Sequence, residues 1–80
     1  MPERLSHFKR VYMIGIKGAG MTALAELLSA RGVSVTGSDV GEVFFTDSIL
    51  KNLKISYAEQ FSPDNIPGNA EAIVYSTAYS

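Results

Sequence analysis

The sequence predicts an α/β fold, a doubly wound parallel sheet covered by helices, and three observations carry that prediction. Residues 10–16 form a near-continuous apolar run, which is typical of a strand buried on both faces. Three glycines, Gly15, Gly18 and Gly20, interrupt the end of this run and lead into a helical pattern. Strand and helix patterns then alternate along the 80 residues, which is the order of elements in a parallel sheet.

The first half of the chain predicts two strands joined by a helix. The helix is predicted over residues 21–31, and Gly32 follows where a glycine commonly ends a helix. The second strand is predicted over residues 33–38 and ends in the Gly-Ser-Asp of residues 37–39. The apolar side chains of the helix that would face the sheet recur at helical spacing: Met21, Leu24, Leu27 and Leu28.

The second half of the chain predicts shorter elements. A second helix is predicted over residues 46–53, with Thr46 as its candidate N-cap. Residues 55–58 predict a short third strand near an edge, and residues 72–75 predict the fourth strand. The prolines within residues 62–69 exclude a long helix there but allow one helical turn.

Right-handed crossovers between these strands predict a Rossmann-like, three-layered sheet with strand order 3-2-1-4, in one domain over residues 1–80. Ligands of such sheets bind off the carboxyl ends of the strands, where the strand order reverses. Three polar or glycine-rich stretches reach that edge, namely residues 15–20, 38–39 and 76–78. This convergence predicts a nucleotide site between strands one and four.

The composition excludes several classes of protein. The net charge is −1 and there is no basic run, so we expect no nucleic-acid partner. No apolar run approaches the roughly 20 residues of a membrane span, so we expect no membrane segment. There is no cysteine, which excludes disulfides and zinc–cysteine sites and fits the reducing cytoplasm, where we expect the protein. His7 is the one histidine and has no partner for catalysis or metal binding.

The glycine turn departs from the standard nucleotide-binding motifs. Its spacing is G-x-x-G-x-G, whereas the dinucleotide motif is G-x-G-x-x-G, and no Gly-Lys-Ser/Thr follows as in a P-loop. Anion binding by loop and helix N–H groups is favoured, and a tight turn needed for packing is the alternative. Lys17 could neutralise a pyrophosphate or could be a solvated loop lysine.

Other polar and aromatic residues near this edge each have two interpretations. Asp39 follows the loop by about twenty residues, where an acid accepts hydrogen bonds from a ribose or base, but it could instead be a turn or capping aspartate. Phe44 and Phe45 could flank a base or pack in a core or interface. Ser76 and Thr77 carry hydroxyls at the end of strand four, where small polar residues are also common without a function.

Three of these stretches together resemble one protein family. They are residues 14–28, with their Gly-Met-x-x-Leu-Ala run, the Gly-Ser-Asp of residues 37–39, and the Tyr-Ser-Thr-Ala of residues 75–78. The chain resembles the N-terminal domain of the Mur ligases over residues 10–80. The resemblance is closest to the branch that joins UDP-N-acetylmuramate to L-alanine. Its typical loop is Gly-Ile-Gly-Gly-x-Gly-Met, so this chain departs from it at Lys17.

The resemblance implies that the chain binds the UDP part of UDP-N-acetylmuramic acid, with the pyrophosphate over the glycine loop. Loop and helix N–H groups from Gly18 to Met21 would meet the pyrophosphate, and Ser38 and Asp39 would meet the uridine. Thr77 stands where the family usually has serine. The implied substrate-binding residues are Gly15, Lys17, Gly18, Ala19, Gly20, Met21, Ser38, Asp39, Ser76, Thr77 and Ala78.

The resemblance also implies an ATP- and Mg²⁺-dependent parent enzyme of peptidoglycan synthesis. Its ATP site, magnesium ligands and amino-acid site would lie in the remaining ligase domains, so we assign no catalytic residue and no metal ligand to this chain. The family's first domain usually continues with another helix and strand. We therefore expect an exposed sheet edge beside strand four and a tendency to self-associate.

Two other functions stay open on the sequence. A nicotinamide-dinucleotide (NAD or NADP) domain of a dehydrogenase or regulator would suit Asp39 as well as a uridine does, and only the glycine spacing argues against it. A purely structural α/β module would use its glycines for packing alone.

Overall fold

The computed structural model of the chain describes residues 7–75, which form one four-stranded sheet and two α-helices. The predicted number and order of strands and α-helices are confirmed, as is the single helical turn at the first proline of the connection. In chain order the elements are β1 (Arg10–Ile14), α1 (Ala19–Ala30), β2 (Ser34–Ser38), α2 (Thr46–Asn52), β3 (Ser56–Ala58), a 3-10 turn (Pro63–Asn65) and β4 (Ala72–Tyr75).

The sheet has the predicted strand order, β3-β2-β1-β4, and all of its pairings are parallel. Val11 of β1 lies opposite Val35 of β2 and Ala72 of β4, so β1 is central. Within residues 7–75, β4 pairs with β1 alone, which confirms a sheet edge at strand four. Self-association through that edge stays a prediction.

Both α-helices pack on one face of the sheet. Their buried side chains join those of the strands in a single core, whose largest fully buried members are Met13, Ile16, Leu28, Leu50 and Val11. Met21, Ala25 and Leu28 form the inward stripe of α1, and Leu24 packs beside it half-buried. The inward position predicted for Leu27 is wrong, because it lies off this stripe and is 47% exposed.

The opposite face of the sheet carries a thinner layer. The connection between β3 and β4, with its one 3-10 turn, lies over the side chains of Tyr12 and Ile14. Ile73 and Tyr75 pair with Tyr12 and Ile14 across the sheet, so they share this face, and they are 50% and 63% exposed. No helix among residues 7–75 is long and apolar enough to cross a membrane.

The bounds of β1 and of the two helices differ from the predicted ones in details that depend on local structure. Strand β1 ends at Ile14 because Gly15 has a φ of 83°, a left-handed conformation that glycine adopts without strain. Helix α1 spans residues 19–30 instead of the predicted 21–31. The glycine predicted to follow its end is confirmed, since Gly32 has a φ of 84° and the N–H of Val33 donates to the carbonyl of Leu28 at 3.0 Å. The N-cap prediction for Thr46 is wrong, since Phe45 occupies that position and Thr46 begins α2.

Candidate functional site

The glycine turn is tied to the end of β2 by its backbone. The N–H groups of Gly15 and Ile16 both donate to the carbonyl of Ser38, at 2.8 and 3.1 Å. The N–H of Gly18 donates to the carbonyl of Gly15 at 3.1 Å and closes the turn. The turn therefore lies at the carboxyl edge of β1 and β2, as the sequence predicts.

Asp39 holds the same turn from its other side. Its carboxylate accepts the N–H of Lys17 at 2.8 Å and that of Val40 at 2.7 Å. The residue has no exposed surface. Both oxygens thus bond to the chain's own backbone, and the structure favours the turn role of Asp39 over contact with a ribose.

Two threonine hydroxyls, neither of them predicted to belong to this site, complete the turn. Thr22 Oγ1 donates to the carbonyl of Ile16 at 2.7 Å, and Thr46 Oγ1 donates to that of Lys17 at 2.6 Å. Both residues are buried. The available signal was their place at the starts of the two helices, where hydroxyl side chains commonly bond backbone groups.

The start of helix α1 leaves N–H groups open for an acceptor. Gly18 caps the helix with an extended conformation and without a side-chain hydrogen bond. The next three N–H groups, those of Ala19, Gly20 and Met21, have no carbonyl within the helix to bond. A Cβ added at Gly20 would meet no atom within 4 Å, so the space beside these donors is open. This is the arrangement that binds anions at helix N-termini.

A cleft of about 210 Å³ lies at this helix start. Its walls come from the glycine turn and from the two phenylalanines of the β2–α2 connection: Lys17, Gly18, Ala19, Phe44 and Phe45. Phe45 is 75% exposed, whereas Phe44 is only 38% exposed. The interpretation of Phe44 and Phe45 as flanks for a base stays a prediction.

The side chain of Lys17 is turned away from solvent. Its Nζ donates to the carbonyl of Glu42 at 2.8 Å and lies 3.1 Å from Asp47 Oδ2 and 3.2 Å from Glu59 Oε2. Only 1% of the side chain is exposed. The alternative of a solvated loop lysine is therefore wrong, and the ammonium group is already paired with carboxylates of this chain.

The charges of this cluster stabilise one another. Burial lowers the pKa of Lys17, but its bonds to Asp47 and Glu59 raise that pKa by more, so the net shift is upward. The pKa of Asp47 is lowered, first by the N–H of Phe44 and then by Lys17. Burial, followed by the charge of Asp47, raises the pKa of Tyr57, whose hydroxyl lies 3.4 Å from Asp47 Oδ2. Lys17 and Asp47 are therefore both charged at neutral pH, whereas the Tyr57 hydroxyl stays protonated.

Aromatic rings enclose the same ammonium group. The centroid of the Tyr57 ring lies 5.4 Å from Lys17 Nζ, and that of Phe44 lies 5.8 Å from it. Both distances fall within the range of cation–π attraction. Lys17 thereby links the glycine turn to the start of α2 and to the end of β3.

The first residue of the Gly-Ser-Asp stretch is required by packing. A Cβ at Gly37 would lie 2.4 Å from the carbonyl oxygen of Met13 and 2.9 Å from Ile16 Cδ1. No side chain fits there, so the close approach of β1, β2 and the turn depends on this glycine.

Comparison with known proteins decides the family. A family model described as "Mur ligase family, catalytic domain" matches residues 10–80. This chain belongs to the Mur ligase family. The predicted resemblance is thereby confirmed.

Individual Mur ligases are similar over most of the chain. UDP-N-acetylmuramate–L-alanine ligase of Treponema pallidum (strain Nichols) is 48% identical over 79 residues, which are 99% of this chain and 16% of that protein. The ligase of the same name from Borreliella burgdorferi is 42% identical over 73 residues, 88% of this chain and 16% of that protein. The one from Lactobacillus acidophilus is 42% identical over 66 residues, 82% of this chain and 15% of that protein.

The structure brings together most of the site residues that the Mur ligase resemblance implied. Residues 15–21 and 38–39 meet at one edge of the sheet. Gly15 and Gly18 shape the turn, but the N–H of Gly18 already bonds Gly15 and is not an open donor. The Ser38 side chain is buried. Ser76, Thr77 and Ala78 lie outside the described residues.

Proposed function

We propose that this chain is the N-terminal UDP-N-acetylmuramate-binding part of a UDP-N-acetylmuramate–L-alanine ligase of peptidoglycan synthesis. The names of the similar proteins support the reaction class, although the chain covers only 15% to 16% of their length. The observation that carries the binding role is the open start of helix α1, where Gly20 leaves free space beside unpaired N–H groups.

The pyrophosphate would be held by backbone N–H groups and the helix dipole. Ala19, Gly20 and Met21 present these groups at the cleft. The turn before them is preorganised, because its own N–H and carbonyl groups are bonded to Ser38, Asp39 and two threonines. Binding then requires little ordering of the chain.

In this proposal Lys17 supplies no charge to the pyrophosphate. Its ammonium group is balanced by Asp47 and Glu59, and its burial keeps it there. The role of Lys17 is to fix the wall of the cleft that Phe44 and Phe45 provide. This explains how the chain accommodates a lysine where the family's loop usually has glycine.

ATP and Mg²⁺ would act in other parts of the ligase, together with the amino-acid substrate. Residues 7–75 contain no group of three or more histidine, cysteine, aspartate or glutamate side chains placed to hold a metal ion. The carboxylates of Asp47 and Glu59 are paired with Lys17, and that of Asp39 bonds backbone N–H groups, so none of the three fits a magnesium site. We therefore derive no step of the ligation from this chain and propose the remaining ligase domains as its partners.

The Gly20→Ala variant tests the anion site. A Cβ on a helix points toward the helix N-terminus, so an alanine at this position would enter the space of a bound pyrophosphate. We expect UDP-N-acetylmuramic acid to bind about tenfold or more weakly. The free energy of unfolding should rise by about 0.5–1 kcal/mol, because alanine favours the helix. Titration calorimetry and urea unfolding measure the two effects.

Gly68→Ala is the matched control, since a Cβ at Gly68 also meets nothing within 4 Å and the residue lies outside the cleft. It should leave affinity unchanged. Amide chemical shifts of the unmodified chain complete the test. Shifts at Ala19, Gly20 and Met21 with UDP-N-acetylmuramic acid support the proposal. The same shifts with NAD and none with the UDP-sugar would instead favour the dinucleotide function.

A further inference from the structure

Residues 40–45 connect β2 to α2 and form a strap beside the start of α1. All six residues are exposed, so packing holds the strap only weakly. Within residues 7–75, Gly41 and Val43 make no hydrogen bond. The position of the strap therefore depends on the few contacts that its other residues make.

Side chains of the lysine cluster hold the middle of the strap. The Glu42 carbonyl accepts a hydrogen bond from Lys17 Nζ at 2.8 Å. The Phe44 N–H donates to Asp47 Oδ1 at 3.0 Å, and Asp47 Oδ2 lies 3.1 Å from the same ammonium group. Glu59 Oε2 lies 3.2 Å from it on the other side of the cluster. Both contacts of the strap thus depend on one ammonium group, and its release would free the middle of the strap.

The cleft at the start of α1 is small while the strap is in this position. Its volume is about 210 Å³, whereas ligand pockets usually measure about 300–1,000 Å³. Phe44 and Phe45 of the strap form one of its walls. A UDP-sugar carries a substituent on each end of its pyrophosphate and needs more room than a bare pyrophosphate ion. That wall therefore has to move when a UDP-sugar enters or leaves.

The structure leaves room for the strap to move away from α1. A separate open space of about 550 Å³ is lined by Gly41 and Val43 of the strap and by residues of α2 and β3, and no residue of α1 lines it. The strap therefore lies between two unfilled spaces. A wall of this kind can be displaced without disturbing the close-packed core.

We propose that the strap gates the anion site, and that the contacts of Lys17 have to break each time a UDP-sugar enters or leaves. The inference rests on the proposed function and adds how the ligand of that site exchanges. Lys17 is then a positioning residue, because it acts on the ligand through the strap and not through its charge. Since the same contacts hold the strap in the free and in the occupied site, they set the rates of exchange and leave the affinity unchanged.

Glu59→Gln is the first test. Glu59 is 53% exposed, so the variant should fold, but Lys17 loses one of its two carboxylate partners. We expect UDP-N-acetylmuramic acid to associate and dissociate about two- to fivefold faster, with an unchanged Kd. The rates for inorganic pyrophosphate should not change. Line shapes of the Ala19 and Gly20 amide signals in NMR titrations give both rates.

Glu26→Gln is the matched control, because Glu26 is an exposed residue of α1 outside the strap and its contacts. It removes the same charge from the chain, so it reports any general electrostatic effect on an anionic ligand. Such an effect would change the association rate and the Kd together. We expect neither to change by as much as the rates of Glu59→Gln.

A reversible crosslink is the second test. A Cβ at Gly41 would lie 4.0 Å from Glu59 Cβ, which is within the range of a disulfide, and the chain has no cysteine of its own. The double variant Gly41→Cys, Glu59→Cys therefore joins the strap to the end of β3 when it is oxidised. The oxidised form should exchange UDP-N-acetylmuramic acid about tenfold or more slowly than the reduced form of the same protein. Pyrophosphate should exchange equally fast in both forms.

The outcomes separate this inference from the proposed function. Faster exchange in Glu59→Gln and slower exchange in the oxidised double variant, both for the UDP-sugar alone, support the strap as a gate. Equal rates in the oxidised and reduced forms would overturn it while the anion site stands. Equal slowing of pyrophosphate would also overturn it, because the crosslink would then act on the helix start itself. If the unmodified chain binds neither probe, the proposed function fails and the gate fails with it.

Discussion

The two faces of the sheet differ in how many of their buried polar groups have hydrogen-bond or ion-pair partners. On the α1 face, the polar groups of the glycine turn bond Ser38, Asp39, Thr22 and Thr46, and a lysine is paired with two carboxylates. Within residues 7–75, the opposite face has one 3-10 turn, a buried hydroxyl on Tyr12 without a hydrogen-bond partner, and exposed apolar side chains on β4.

This difference places the anion site of the proposed function on the α1 face. The α1 face offers rigid backbone donors that suit a pyrophosphate, whose recognition needs fixed geometry and charge complementarity. The opposite face offers an apolar cleft lined by Tyr12, Ile14 and residues of the β3–β4 connection. Variants that loosen the first face should lower stability more than variants of the exposed side chains on the second.

The largest loss on the α1 face is expected from Lys17→Met. The substitution removes the ammonium group but keeps most of the side-chain volume, and it leaves Asp47 buried without its ion-pair partner. Breaking such a pair destabilises a protein by about 3–5 kcal/mol. Urea unfolding of the variant measures the change.

Lys51→Met is the control for Lys17→Met, because Lys51 is exposed on α2. Its free energy of unfolding should change by only about a few tenths of a kcal/mol. Equal stability of the two variants would contradict the view that the α1 face is held by its internal charges.

A somewhat smaller loss is expected from Gly37→Ala. The new Cβ would lie 2.4 Å from the Met13 carbonyl oxygen, so the strands or the turn must move apart. Overpacking of this kind lowers the free energy of unfolding by about 2–3 kcal/mol. Gly68→Ala, measured by the same urea titration, should change stability by less than about 1 kcal/mol. If Gly37→Ala left the free energy of unfolding unchanged, the close packing of the α1 face would not be required for stability.

The smallest effect concerns pH. The pKa of Asp47 in the folded chain is lowered from its ordinary value of 3.8 by the Phe44 N–H and Lys17. The stability that this carboxylate contributes is therefore present above its ordinary pKa and is lost as pH falls through its folded pKa. Unfolding measured between neutral pH and about pH 3 should show that loss.

Asp47→Asn should flatten this pH dependence, since the amide does not titrate in this range. The pKa of Glu71 is also lowered, chiefly by the Lys9 N–H, so Glu71→Gln serves as the comparison on an exposed site. If the stability of Asp47→Asn depended on pH more steeply than that of the unmodified chain, the acid sensitivity could not be assigned to Asp47.

Much of the fold was predictable because its signals are local. The apolar run of β1, the helical spacing before Gly32 and the alternation of elements each depend on neighbouring residues, and together they predict the strand order. The spacing of the apolar residues did not decide which side of α1 faces the sheet. Leu27 fits the helical pattern nearly as well as Leu28, but contact with the sheet selects the stripe of Met21, Ala25 and Leu28.

The site was less predictable because its contacts join distant residues. The ammonium group of Lys17 meets a carboxylate 42 positions away, and nothing near Lys17 in sequence marks Glu59 as its partner. The position of Asp39 after a strand suits a ligand-binding acid and a turn aspartate alike, and only the folded chain shows that its carboxylate bonds a backbone N–H 22 positions earlier. Such roles depend on how the elements pack and not on the motif itself.

The lysine link has a consequence for how the domain opens. β3 is a three-residue edge strand, and such strands ordinarily fray first and exchange their amide hydrogens fastest. Here Glu59, next to its end, pairs with Lys17 of the glycine turn, and the Ala58 carbonyl accepts the N–H of Asp39 at 2.9 Å. Fraying of β3 therefore has to release the turn as well. A ligand that protects the turn from hydrogen exchange should slow exchange in this distant strand by the same factor.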